Sequence, residues 1–253
     1  MYRNTYVRVN LNNINSNVKN IINYYSGYKY YIGVVKANAY GYGFDVVKTM
    51  KEAGINYFAV SNLDEALSVR KLVDTPILCL EPIPLKYIDK AIEGNITITL
   101  SNYHDFLKLK EMNIDNLKID SGMNRLGFTE KNIIKEVYDN LKNNIEGIYT
   151  HMATSGINDK KFDNQIDKFI ELTSLIDLSK IKIVHIGRSA TIINHKKFDF
   201  VNATRIGILM YGVKQNNITF TGLKGRLRKI KRDMRLKKYN ISIVANSEDQ
   251  AKT

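Results

Sequence analysis

The chain has 253 residues and a net charge of +13, with 44% apolar and 25% charged residues, enough for one large α/β domain or two small ones. The opening MYRNTYVRVNLNNINSN lacks a basic segment followed by an apolar one, and no run approaches the ~20 apolar residues that span a bilayer, so neither a secretory signal nor a membrane span is expected. The single cysteine, Cys79 in PILCL, has no internal disulfide partner; it reads as a small buried hydrophobe and fits a reducing cytoplasm.

In chain order, an extended run at 6–11 and a helical stretch at 15–24 come first. Short apolar runs then recur at 31–35, 57–60, 77–80, 96–100, 117–119, 147–149, 183–186 and 203–206. They are rich in Val, Ile, Leu and Tyr and mostly do not alternate, as strands buried on both faces read. The intervals are helical: FDVVKTMKEAG ends on a glycine, LDEALSVRKLV has acidic residues in its first turn, TEKNIIKEVYDNLKN opens on Thr129 and FDNQIDKFIELTSLI opens on Asp163. Eight strand–helix repeats predict an α/β fold, a closed (β/α)8 barrel over 1–213, followed by a basic tail at 214–253. Within that tail GLKGRLRKIKRDMRLKKY carries nine Lys or Arg against one Asp, leaving only +5 for the remaining chain. Binding of nucleic acid through this tail ranks well below the small-molecule readings that follow, and no metal is expected.

Barrels of this kind place function at the C-terminal ends of their strands. Those ends read Lys36, Ser61, Glu81, Ser101, Asp120 with Arg125, His151, Ser189 and Arg205. Lys36 lies in GVVKANAYGYG, where an apolar run meets glycines and tyrosines; it either snorkels to water or does covalent chemistry. An amine desolvated at an apolar barrel mouth is nucleophilic and forms Schiff bases with carbonyl groups, pyridoxal phosphate among them. Gly207, Ser189 and Tyr40 could hold the phosphate.

VVKANAYGYG resembles the pyridoxal-phosphate attachment signature of the alanine racemase family. LKIDSGMNRLGF, GIYTHMAT, HIGRSAT and TRIGILMYG resemble four further family motifs in the same order, so the resemblance covers roughly 6–213. It implies that Lys36 carries pyridoxal 5'-phosphate and is the base for one face of the substrate α-carbon. It implies that Tyr40, Ser189, Gly207 and Ile208 hold the phosphate, that His151 packs at the ring and that Arg205 faces the pyridine nitrogen. Arg125 is implied to lie near the substrate carboxylate, and Lys118 matches a lysine the family often carbamylates. Taken alone, Lys118 reads equally well as a strand lysine paired with a carboxylate, and Tyr40 as turn packing. Arg188 stands where the family usually has asparagine, and Tyr42 where histidine is frequent.

The implied activity is interconversion of L- and D-alanine, supplying D-alanine for peptidoglycan, by a homodimer whose second base is a tyrosine of a C-terminal β-domain. GLKGRLRKIKRDM resembles only the opening of that domain, and nothing in LKKYNISIVANSEDQAKT matches the tyrosine motif. The expectation is therefore a truncated racemase with a weakened dimer and an N-terminal strand short of partners. The alternative is a barrel that binds pyridoxal phosphate without catalysis.

Overall fold

The computed structural model describes residues 6–110, 116–141, 145–212 and 241–244. Strand β1 (Tyr6–Val9) leads into helix α1 (Leu11–Tyr24), capped by the Asn10 side chain, which accepts the Asn13 N–H at 3.1 Å. Strands β2 (Tyr30–Val34), β3 (Tyr57–Val60), β4 (Ile77–Cys79), β5 (Thr99–Leu100), β6 (Asn116–Lys118), β7 (Gly147–Tyr149), β8 (Ile183–His185) and β9 (Ala203–Ile206) form one parallel sheet in the order β4-β3-β2-β9-β8-β7-β6-β5. Its two edges meet: Leu78 bridges Thr97 in parallel, and the Cys79 and Thr97 N–H groups donate to the Thr97 and Ile77 carbonyls, both at 2.9 Å. The expected closed (β/α)8 barrel is thus the fold observed.

Strands β2, β3, β4, β8 and β9 face two apolar cores, which is why their runs are apolar without alternating. Ile32, Val34, Tyr57, Ala59, Leu78, Ile183 and Ala203 pack inside the barrel. After a short turn α2 (Lys36–Tyr40), the opposite faces pack against helices α3 (Val46–Glu52), α4 (Leu63–Arg70), α5 (Ile88–Glu93), α6 (Tyr103–Leu109), α7 (Lys131–Leu141) and α8 (Lys160–Thr173). Helix α8 buries Phe162, Ile166, Phe169 and Leu172 at the spacing of one helix face.

Three expectations need correction. Helix α8 is capped by Asp159, which accepts the Lys161 and Phe162 N–H groups; Asp163 sits inside its first turn. Apolar periodicity starts only at Phe162, so the polar first turn gave no periodic signal. The run at 96–100 is a strand only at Thr99–Leu100, because Thr97 serves as the closing bridge. The N-terminal strand does have a partner: β1 pairs antiparallel with β10 (Ile241–Val244), Tyr6 opposite Val244. The boundary at 213–214 and the basic stretch at 222–239 lie outside the described residues.

Polar pairs also fasten the barrel interior. The Tyr57 hydroxyl lies 2.8 Å from both the Glu146 carboxylate and the Thr97 hydroxyl, joining three strand regions. Tyr57→Phe is expected to cost about 1–2 kcal/mol, read as a lower urea midpoint with an unchanged slope.

Candidate active site

The lysine of the opening motif sits on an unusual piece of backbone. Lys36 begins a turn, α2 (Lys36–Tyr40), in which Ala37, Asn38 and Ala39 have φ of 51–54° and ψ of 49–51°, and Tyr40 has φ 55°. This is a helical turn of left-handed sense without a glycine, a conformation that costs L-residues roughly 1–2 kcal/mol each. Contacts over-determine it: the Gly41 N–H reaches the Ala37 carbonyl at 3.0 Å, and the Asn38 side chain accepts the Phe44 N–H at 3.1 Å.

A second loop presents Arg125. Asp120 follows β6, and its carboxylate accepts the N–H groups of Gly122, Met123, Asn124 and Arg125 at 2.8–3.0 Å. One acidic side chain therefore shapes the whole SGMNR turn. Lys118, at the end of β6, is buried, and no carboxylate pairs with it among the described ion pairs. Burial, with Arg125 and Arg205 nearby, lowers its pKa to about 8. The alternative of a lysine paired with a carboxylate is not the arrangement observed.

Arg205, in β9, is buried and wired to carbonyls: it donates to those of Thr150 at 2.8 Å, Ile186 at 3.2 Å and His185 at 3.3 Å, and also contacts the His185 ring nitrogen Nδ1. Burial lowers its pKa to about 10, so it stays charged at neutral pH. Its guanidinium also lies over the Tyr149 ring, which stacks on His185. Tyr149 and His185 were legible only as strand residues. Their roles depend on which side of the strand they face, and Arg205 reveals that.

His151, just beyond β7, lies 3.4 Å from Arg205 through Nδ1. Burial first, then Arg205, Arg125, Arg188 and Lys118, pull its pKa down to about 3. The folded state keeps this ring neutral, whereas an unfolded chain protonates it near pH 6.5. Its stabilising contribution is therefore complete above pH 6.5 and is lost as pH falls toward 3. The expected result is a urea midpoint that drops between pH 7 and pH 5, with a shallower drop in His151→Gln.

The remaining groups converge from three strands. Ser189 opens α9 (Ser189–Asn194) after β8, and its hydroxyl accepts the Gly207 N–H at 3.1 Å. A Cβ on Gly207 would lie 2.9 Å from the Tyr40 hydroxyl, so glycine is what admits that phenol here. Ile208 follows as the first residue of a 3-10 turn. Arg188 donates to the Ser155 hydroxyl at 3.3 Å and the Ala153 carbonyl at 3.4 Å.

All nine residues singled out by the sequence (Lys36, Tyr40, Lys118, Arg125, His151, Ser189, Arg205, Gly207 and Ile208) line one cavity of about 670 Å³ at the C-terminal ends of the strands. Ser61, Glu81 and Arg188 line it too, whereas Ser101 and Asp120 do not. Five cationic side chains face Glu81 as the lone lining carboxylate, and none of the five makes an ion pair among the described residues. Such a site attracts anions. Together these features define an α/β barrel with a lysine-bearing, cation-rich cavity at its strand ends.

Comparison with known proteins agrees. The family profile described as "Alanine racemase, N-terminal domain" matches residues 9–215. Alanine racemase 1 of Bacillus subtilis is 35% identical over 226 residues, 84% of this chain and 57% of that protein. The alanine racemase of Streptococcus suis is 33% identical over 223 residues, 84% of this chain and 60% of that protein. Among solved structures, the alanine racemase of Bacillus anthracis with bound L-Ala-P superposes with a TM-score of 0.77 at 32% identity, over 87% of this chain and 62% of that one. An alanine racemase of Clostridium difficile 630 superposes at 0.82 and 27% identity, over 96% and 64%. This chain belongs to the alanine racemase family. It spans about three fifths of the length of the curated relatives it matches.

Proposed function

We propose that the chain is the cofactor-binding part of a pyridoxal-phosphate-dependent racemase that interconverts L- and D-alanine. The observation that carries this reading is the convergence of Lys36, the Tyr40–Ser189–Gly207 cluster and Arg205 in one cavity. The donor set fits the cofactor: hydroxyls and a backbone N–H for a phosphate, an amine for an aldehyde and a fixed cation for a pyridine ring. When bound, pyridoxal phosphate supplies the electron sink that makes an amino-acid α-proton removable. Lys36 holds the cofactor covalently and moves the proton on one face of the α-carbon.

With the cofactor bound, Arg205 would serve the pyridine nitrogen. Its carbonyl anchors keep it from swinging away, and its fixed charge disfavours protonation of that nitrogen, which restrains side reactions. Arg125 would receive the substrate carboxylate, and the neutral His151 would adjoin the cofactor without adding charge. Lys118, with its lowered pKa and two arginines close by, suits carbamylation: the amine adds CO2 and releases a proton, leaving an anion between cations. Residues 1–213 form the cofactor domain, and residues 214–253 resemble the start of a second domain without any stretch that matches the family's tyrosine base. The unpaired Cys79 suits the cytoplasm.

The test is incubation with pyridoxal phosphate and each alanine enantiomer in heavy water, reading deuterium and handedness. Deuterated product of inverted configuration supports a racemase. Exchange without inversion assigns one face to Lys36 alone. Failure to exchange either enantiomer, with cofactor still bound, leaves a binding barrel.

A further inference from the structure

The reversed turn after Lys36 is held from outside by a residue with no assigned role. Glu65 is the third residue of α4, whose cap Asn62 accepts the Glu65 N–H at 3.0 Å. A glutamate at this position ordinarily folds back onto the N–H of the cap residue itself. Glu65 instead spans two strand ends: one carboxylate oxygen accepts the Ser61 N–H at 2.8 Å, after β3, and the other accepts the Ala37 N–H at 2.7 Å.

Ala37 is the first left-handed residue, and its N–H donates to the Glu65 carboxylate and, among the described residues, to no backbone carbonyl. On the other side of Lys36, the Val35 N–H is fixed to the Ala59 carbonyl at 2.9 Å. The Val34–Val35 peptide is therefore tethered to β3 by the sheet, and the Lys36–Ala37 peptide to the segment just after β3 by Glu65. That fixes the direction in which the lysine leaves the backbone. Backbone charge-assisted bonds of this kind are among the stronger ones, and they stabilise a conformation that its own residues disfavour.

We propose that Glu65 is a positioning residue for Lys36: by clamping the Ala37 N–H it sets the turn that aims the lysine amine into the cavity. This rests on the reading that Lys36 takes the cofactor covalently, and the test separates the two ideas. Pyridoxal phosphate attaches through C=N formation, the aldehyde oxygen leaving as water with the two amine hydrogens, and borohydride traps the product for peptide mass analysis. Pyridoxamine phosphate has no aldehyde, so it reports the phosphate and ring contacts alone.

In Glu65→Ala, the attachment rate should fall about tenfold while the dissociation constant of pyridoxamine phosphate changes less than about twofold. Glu65→Gln keeps one acceptor oxygen but turns an amide donor toward the other N–H, so its rate should fall between the two. If Glu65→Ala does not fold, Glu65→Gln is judged by the same pair of readings. Attachment at the wild-type rate in the folded variants would overturn the proposal, as would a parallel loss of pyridoxamine phosphate affinity. Absence of attachment at Lys36 in the wild-type protein would instead overturn the reading of Lys36 itself.

Discussion

Lys36→Ala is expected to abolish covalent capture of pyridoxal phosphate and to lower any α-proton exchange at least ~10³-fold. The side chain lies outside both apolar cores, so the fold should persist with a urea midpoint close to that of the wild type. Binding of pyridoxamine phosphate should also persist, because Tyr40, Ser189 and Gly207 remain in place. That split between lost attachment and retained binding identifies a reacting group. A lysine that merely snorkelled would leave trapping by borohydride intact at another residue or absent in both proteins. The measurement is borohydride trapping followed by mass analysis of the peptide containing residue 36.

Gly127→Ala should have the largest effect on stability, a loss of more than ~3 kcal/mol in urea denaturation. Gly127 has φ +129°, and a Cβ there would lie 2.5 Å from the Asp120 nitrogen, 2.7 Å from the Ile119 carbonyl carbon and 3.0 Å from the Lys118 carbonyl oxygen. These are backbone atoms, held by a bridge in which Phe128 N–H donates to Lys118 and Asp120 N–H donates to Phe128, both at 3.0 Å. They cannot yield as a side chain would. Any folded fraction should have this wall of the cavity displaced, since the backbone here carries Lys118 and the Asp120 carboxylate that orders the loop of Arg125.

Much of this was legible in the sequence because doubly buried strands are conspicuous. The runs at 57–60, 147–149 and 203–206 coincide with strands, and the polar residues just beyond each run fall at one end of the barrel. What stayed hidden depends on contacts between distant residues. Little in Lys-Ala-Asn-Ala-Tyr announces left-handed backbone, since none of these is glycine and the acceptor of the Ala37 N–H is Glu65, on another helix. Glu65 itself looked like any acidic residue of a first turn. Thr97 and Thr99 looked like ordinary strand residues, yet one closes the barrel and the other bonds the Tyr149 hydroxyl at 2.9 Å.

The position of β9 has a consequence for biosynthesis. It is the last barrel strand to leave the ribosome, yet it is inserted between β2, made first of the eight, and β8. Until it arrives, a nascent chain carries an open edge on β2, and such edges recruit other strands. The same strand brings Arg205 and leads into Gly207, so a partly synthesised chain holds Lys36 without the two residues that complete the far side of its cavity. Ring closure and site completion are thus one event, and a cofactor analogue that binds only the finished site would report when the nascent barrel has shut.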